Sequence, residues 1–178
     1  LRVKHKLGLF EEEASEQTLY SDFGSKKHTD KAYRAATESI TLLKNKNNIL
    51  PLNKNQKIMV IGPTSNSLNC LNGAWTHTWQ GVDEKYNNTE HPTILEAIKI
   101  AAKETAHYKG SIMMMEDGDE KDYPSKDLKK AVKEAKNYDV AVVCLGELPS
   151  TERPGDIYSL DMAKEQLHII HELSKTGI

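Results

Sequence analysis

The chain has 178 residues, with 24 basic and 26 acidic side chains and a formal net charge of −2. This length suits one domain with its own core plus a tail. Arg2, Arg34 and Arg153 are the only arginines, so the basic field and arginine forks typical of nucleic-acid binders are missing. No apolar run approaches the roughly 20 residues that cross a bilayer. These features exclude a nucleic-acid binder and a helical membrane span.

The first third of the sequence predicts a linker, a helix and a strand. Leu1–Lys27 carries apolar residues without a sustained period, which is typical of a linker that packs against something else. Apolar residues at three- and four-residue steps then predict a helix with Thr29 or Asp30 as its N-cap. After a turn, Lys57–Ile61 is predicted as an apolar strand, and Gly62-Pro63 ends it.

The rest of the chain alternates helices and strands. Helices are predicted over Thr93–Lys103, Ser125–Lys136 and Met162–Ser174, and strands over Thr105–Tyr108 and Asp139–Leu145. This alternation predicts an α/β fold, a three-layer sandwich around a mostly parallel sheet. Because the chain stops where a further parallel strand would follow the last helix, we expect the sheet to be incomplete through truncation.

The loop after the last predicted strand is the first candidate for chemistry. Val140–Leu145 is continuously apolar, as a parallel strand covered on both faces must be, and ligands bind beyond the carboxyl ends of such strands. Glu147, Glu152 and Asp156 follow in this loop. Either one of these carboxylates acts on a substrate, or the loop is a solvated acidic segment in which Glu147 or Asp156 caps a helix or pairs with Arg153.

A second candidate is the irregular polar loop Thr64–His91, which contains both tryptophans of the chain. Loops of this length in compact domains are usually functional or disordered. Within Gly73–Gly81, Trp75 and Trp79 lie four residues apart in a polar setting that is hard to explain as core. Indole faces stack on the apolar faces of sugar rings, so a carbohydrate site is one interpretation. The other is that both rings cover the edge of the sheet.

Patterns for cofactors and metals are not matched. The turn Gly62–Ser67 has neither the glycine pattern of dinucleotide folds nor a P-loop lysine, which disfavours a flavodoxin-like nucleotide domain. His77 has no His or Cys at a metal-binding spacing, and Glu116–Tyr123 fails the calcium-loop pattern. Cys144 fits a small buried thiol better than half of a disulfide with Cys70. We therefore expect no cofactor and no metal.

Taken in order, these motifs resemble the second, α/β-sandwich domain of glycoside hydrolase family 3, the β-glucosidase and exo-glucanase family. The resemblance covers essentially the whole chain. It implies that residues 1–28 are a linker from an upstream barrel domain and that residues 29–178 are a partial sandwich domain. The matching segments are Leu7–Glu11 for the exit from the (β/α) barrel, Arg34–Asn45, Leu50–Leu52 and Ile61–Pro63 for the linker helix and first strand, Gly73–Gly81 for the tryptophan loop, and Gly146-Glu147 with Thr151–Asp156 for the acid/base loop.

The resemblance implies a retaining enzyme that removes terminal non-reducing β-D-glucosyl or related residues. In that mechanism one carboxylate attacks the anomeric carbon and another protonates the leaving oxygen. The family's nucleophile is an aspartate of the barrel, so we expect this chain alone to be inactive and to supply the general acid/base. By its position in the loop this residue is Glu152, with Glu147 as the alternative or as an orienting residue. Trp79, Trp75 and Gln80 are the residues expected to bind sugar.

The resemblance also implies partners and a location. The partners are a β-glucoside or oligosaccharide and the upstream barrel of the same chain, and the location is periplasmic or extracellular. We further expect Glu152 to be exposed on a mobile loop, and Val140–Val143 to form an unpaired apolar edge through which the chain dimerises or aggregates. The alternative function is a non-catalytic carbohydrate-binding or interaction module that keeps the tryptophan loop.

Overall fold

The structure, a computed structural model, describes residues 1–11, 20–112 and 125–178. Its chain contacts divide it into two units, Leu1–Leu50 and Pro51–Ile178. The expected acidic loop at 116–123 lies outside the described residues.

The first unit contains two helices, α1 (Arg2–Lys6) and α2 (Lys26–Ser39). The linker interpretation did not include α1, which is only five residues long and has no buried residue. The predicted start of α2 at Thr29 or Asp30 is wrong by about one turn, since Ser25 is the N-cap. The first turn is polar and carries no apolar signal, but Thr29 N–H already donates to Ser25 C=O at 3.0 Å. The helix ends at Ser39, because Ile40 takes an extended conformation.

The second unit alternates strands and helices around one sheet. Three parallel strands lie in the order β2-β1-β3, so the predicted α/β fold is confirmed. Thr93 caps the first helix of the unit through a reciprocal capping box with Glu96. The elements are β1 (Lys57–Ile61), α3 (Ile94–Ala101), β2 (Glu104–Tyr108), α4 (Lys126–Glu134), β3 (Val140–Val143) and α5 (Lys164–Ser174).

The core lies on both faces of β1, the central strand. Successive side chains of a strand point to opposite faces, and the buried residues divide accordingly into two clusters. Met59 and Ile61 pack with residues of α4 and α5, whereas Ile58 and Val60 pack with Leu95 of α3. The sheet is thus covered by helices on both sides. Among the described strands β3 lies at an edge, and it is partly buried; dimerisation through this edge remains a prediction.

Gly62 brings the chain leaving β1 against the chain leaving β3. Its φ is +125°, and a Cβ at this position would lie 1.9 Å from the carbonyl oxygen of Cys144. Cys144 N–H donates to Ile61 C=O at 2.7 Å, which extends the pairing beyond the strands. Only glycine allows this approach without a backbone shift. The two loops that follow, which carry the candidate residues, therefore start side by side at the carboxyl edge of the sheet.

Candidate active site

A hydrogen bond joins the two loops that the sequence singled out. Trp79 Nε1–H donates to Glu152 Oε2 at 2.8 Å across a separation of 73 residues. Both side chains are open to solvent, with Trp79 53% exposed, and the expected exposure of Glu152 is observed. Among the described residues, the other carboxylate oxygen, Oε1, has no hydrogen-bond partner. An indole N–H can only donate, so it fixes one oxygen and leaves the other directed elsewhere.

A second link lies next to the first in both loops. Gln80 Oε1 accepts from Thr151 N–H at 3.0 Å, and Gln80 Nε2 donates to Thr151 C=O at 3.3 Å. Gln80 follows Trp79 and Thr151 precedes Glu152. The adjacent pairs 79–80 and 151–152 therefore hold the tryptophan loop and the acid/base loop together through three hydrogen bonds.

Three residues of these loops have backbone conformations that L-residues rarely adopt. Trp75, His77 and Glu152 have φ values of +60°, +57° and +54°. Such conformations cost on the order of 1–3 kcal/mol each and persist only where the surroundings impose them. At Glu152 the carbonyl accepts from Gly155 N–H at 2.8 Å. Strain concentrated in two touching loops is typical of functional sites.

The tryptophan loop is closed on itself. Trp75 N–H donates to Trp79 C=O at 3.0 Å, and the ring of His77 stacks on Tyr86 with centroids 5.2 Å apart. At Gly81, where φ is +75°, a Cβ would lie 2.2 Å from the carbonyl oxygen of Gly73. Trp75 is 63% exposed, so neither tryptophan is a core residue. The loop therefore presents both indoles to solvent from a defined backbone.

Glu147, the alternative acid, lies in different surroundings. It is exposed and lines a cleft of about 570 Å³ together with Asp156 and Tyr158. In the part of the chain that the structure describes, no hydrogen bond joins Glu147 to the tryptophan loop.

The root of the acid/base loop is held by a residue that the sequence analysis missed. Gln166 of α5 is 0% exposed, and its Oε1 accepts from Gly146 N–H at 2.9 Å while its Nε2 donates to Gly146 C=O at 2.8 Å. A signal was available, because Gln166 stands at helical spacing between the buried residues Ala163 and Ile169. A polar residue in an apolar stripe needs a partner, and here the partner is the loop backbone.

A polar cleft of about 400 Å³ lies at the carboxyl ends of β1 and β2, lined in part by Ser65, Asn66 and His107. Ser65 Oγ donates to Gly62 C=O at 2.7 Å and lies 2.9 Å from His107 Nε2. With its proton donated to the Gly62 carbonyl, the fully buried Ser65 hydroxyl can accept from His107 Nε2–H. Burial of the imidazole and the charge of Lys99 lower the pKa of His107.

Cys70 and Cys144 are both free thiols. Cys144 is buried, as predicted, and burial raises the pKa of its thiol, whereas Cys70 is partly exposed. Over residues 1–11, 20–112 and 125–178, no cluster of three His, Cys, Asp or Glu side chains could hold a metal ion. Within the same ranges no helix has the length and apolarity to cross a membrane.

Comparison with known proteins identifies the family of this chain. Residues 40–178 match the family model described as the glycosyl hydrolase family 3 C-terminal domain. The chain therefore belongs to glycoside hydrolase family 3, and the resemblance deduced from its motifs is confirmed.

Proteins similar to this chain are named as enzymes of the same kind. The chain is 36% identical over 186 residues to a lysosomal beta glucosidase of Dictyostelium discoideum, covering 99% of the chain and 22% of that protein. It is 29% identical over 183 residues to a beta-xylosidase of Formosa agariphila, covering 99% of the chain and 24% of that protein. The structure of a beta-glucosidase from Listeria innocua in complex with gluconolactone matches with a TM-score of 0.71 at 23% identity, over 99% of this chain and 22% of that one. The chain thus spans less than a quarter of each relative.

Proposed function

We propose that this chain is the acid/base domain of a retaining β-glucosidase-like glycoside hydrolase that removes terminal non-reducing β-D-glucosyl or related residues. The observation that carries the proposal is the 2.8 Å hydrogen bond from Trp79 to Glu152, which places a carboxylate against a half-exposed indole. Cleavage of a glycosidic bond needs a proton donor at the leaving oxygen, and the indole beside this carboxylate offers a stacking surface for the sugar on that side.

In this proposal Glu152 protonates the leaving oxygen and then removes a proton from the attacking water. The hydrogen bond from Trp79 is compatible with both steps. Oε2 can accept it when Glu152 is a carboxylate, and also when Glu152 is a neutral acid in which Oε2 is the carbonyl oxygen. The transferred proton is then carried by Oε1. The face of the Trp79 ring stays available for the sugar beyond the cleaved bond, with Trp75 as a second stacking surface.

The nucleophile is proposed to be an aspartate of an upstream (β/α) barrel. Retention requires the two carboxyl groups to lie about 5–5.5 Å apart, so the barrel would dock against the loops that carry Trp79 and Glu152. We propose residues 1–28 as the linker from that barrel and 29–178 as part of the sandwich domain, inactive alone. The chain covers only 22% of the Dictyostelium relative, which supports a longer full-length protein.

A periplasmic or extracellular location is proposed for the full-length protein. Its support is a relative named periplasmic beta-glucosidase from Salmonella typhimurium, 34% identical over 82 residues, covering 43% of this chain and 11% of that protein. Fractionation of cells that express the native gene would test the location.

The catalytic assignment is tested by Glu152→Ala and Glu147→Ala in the full-length polypeptide. The substrates are a β-linked glucose disaccharide and 2,4-dinitrophenyl β-glucoside, whose leaving group needs no protonation. Glu152→Ala should lower kcat/KM for the disaccharide by about 10²–10⁴-fold, the usual contribution of a general acid. For the dinitrophenyl glucoside kcat/KM should change little, and azide should raise kcat and yield glucosyl azide.

Glu147→Ala is the matched control, because it removes an exposed carboxylate from the same loop. If only Glu147→Ala shows the selective loss and the azide rescue, the acid/base is Glu147. If neither variant affects hydrolysis, the domain is a non-catalytic carbohydrate-binding or interaction module and the proposal is wrong.

A further inference from the structure

The side chain of Gln80 is committed to the backbone next to the proposed acid/base. Its amide oxygen accepts from Thr151 N–H at 3.0 Å and its amide nitrogen donates to Thr151 C=O at 3.3 Å. The amide thereby pairs with Thr151 as a neighbouring strand would. We propose that Gln80 is a positioning residue that sets the direction of Glu152, and not a residue that binds sugar. This inference rests on the proposed role of Glu152.

The conformation of Glu152 explains why such a residue is needed. At φ +54° and ψ −145°, Glu152 occupies a region that glycine adopts far more readily than any residue with a Cβ. A return to the ordinary negative φ near −60° would turn the backbone by roughly 110° and carry the side chain with it. The direction of the carboxylate therefore depends on whatever prevents this rotation.

Two anchors bracket the strained residue. On its carboxyl side, Glu152 C=O accepts from Gly155 N–H at 2.8 Å within a tight turn. On its amino side, both polar backbone groups of Thr151 are held by Gln80. The turn is local and moves with the loop, whereas Gln80 belongs to a different loop. Gln166 holds the root of this loop at Gly146, and Gln80 ties the backbone directly before Glu152 to a different loop.

The neighbouring contact of Trp79 acts on the other end of the same residue. Trp79 holds the carboxylate of Glu152, while Gln80 holds the peptide that precedes it. Because Trp79 and Gln80 are consecutive, a single segment fixes both ends. The loop that carries this segment is closed by Trp75 N–H, which donates to Trp79 C=O at 3.0 Å, and at Gly81 a Cβ would lie 2.2 Å from the Gly73 carbonyl oxygen.

The test is Gln80→Met in the full-length polypeptide, since methionine keeps the size of the side chain and removes both hydrogen bonds. A misplaced general acid should matter only when the leaving group needs a proton. We expect kcat/KM for the disaccharide to fall about 10- to 100-fold, since a misplacement of about 1 Å can cost up to about 10²-fold. For the dinitrophenyl glucoside it should stay within about threefold, so kcat/KM across a series of aryl glucosides should depend more steeply on leaving-group pKa.

The Glu152→Ala background separates positioning from sugar binding. Without the acid, the dependence on leaving-group pKa is already steep, and adding Gln80→Met should change no substrate further. Gln166→Met is the structural control, because it removes the same two kinds of hydrogen bond from Gly146 at the root of the loop. It should lower thermal stability without a comparable selective loss on poor leaving groups.

The inference is overturned if Gln80→Met affects all substrates equally, or if its effect on aryl glucosides persists in the Glu152→Ala background. If Glu152→Ala shows the selective loss but Gln80→Met behaves as wild type, only the inference fails. If Glu152→Ala itself shows no selective loss, the proposed function fails first.

Discussion

Gln166 offers the sharpest test of how the acid/base loop is anchored to the core. Its buried amide makes two hydrogen bonds with Gly146, at 2.9 and 2.8 Å. Gln166→Met keeps the volume and removes both bonds. A neutral hydrogen bond contributes about 0.5–1.5 kcal/mol net, so the pair contributes about 1–3 kcal/mol. Gly146 is only partly buried, so water can hydrogen-bond to its N–H and C=O once the glutamine is gone, and the loss of unfolding free energy should stay within this range.

Urea denaturation followed by circular dichroism measures this loss of unfolding free energy. For a chain of this size each kcal/mol corresponds to about 2–4 °C in Tm. Hydrogen exchange measures the loss locally, because the Gly146 amide should exchange about 5- to 150-fold faster, which corresponds to the same 1–3 kcal/mol.

Gln166→Glu separates the two bonds. A carboxylate still accepts from Gly146 N–H but faces the Gly146 carbonyl oxygen without a proton to donate. Burial should raise the pKa of the introduced carboxyl, so its protonated form is favoured in the folded state and the variant should regain stability as pH falls towards 4. The reasoning is refuted if Gln166→Met unfolds within about 0.5 kcal/mol of wild type, or if the Gly146 amide keeps its exchange rate.

Two further predictions concern the sheet edge beneath the site. Gly62→Ala should lower the free energy of unfolding by more than about 3 kcal/mol, because a Cβ at φ +125° would meet the Cys144 carbonyl oxygen at 1.9 Å. Gly73→Ala is the control, because a Cβ there has no heavy atom within 4 Å. If the two variants unfold at the same denaturant midpoint, this explanation is wrong. Burial and then Lys99 lower the pKa of His107, so the folded state binds fewer protons than the unfolded state and stability should fall as pH drops below about 6.5. His107→Gln should flatten that part of the pH profile, and an unchanged slope would show that His107 is not its source.

The fold was predictable where residues are buried on both faces. Lys57–Ile61 was predicted with its observed bounds, because a central parallel strand is a continuous apolar run. The start of α2 was missed, because Ser25 and the turn after it are polar and the apolar period that predicted the helix begins only at Ala32. A polar first turn adds nothing to such a period, so the period does not show where the helix begins.

The sequence singled out the residues of the candidate site but not their arrangement. Trp79 and Glu152 were each singled out from their own loop, yet their contact depends on positive φ values at Trp75, His77 and Glu152 that no local pattern indicates. Gln80 was expected to bind sugar because Gly73–Gly81 resembles the tryptophan loop of the family. Instead it pairs with Thr151, which lies 71 residues further along the chain, and sequence spacing does not indicate such a contact.

At position 152, the residue that would be best for stability differs from the residue that the proposed chemistry needs. A glycine there would adopt the same φ without strain, so a redesign guided by backbone geometry alone would select Glu152→Gly and gain up to about 1–3 kcal/mol. The same change would delete the proposed proton donor. Among domains of this architecture, a glycine at the equivalent position would therefore mark a domain that is more stable but lacks the proton donor. Such a domain would be recognisable from its sequence before any assay.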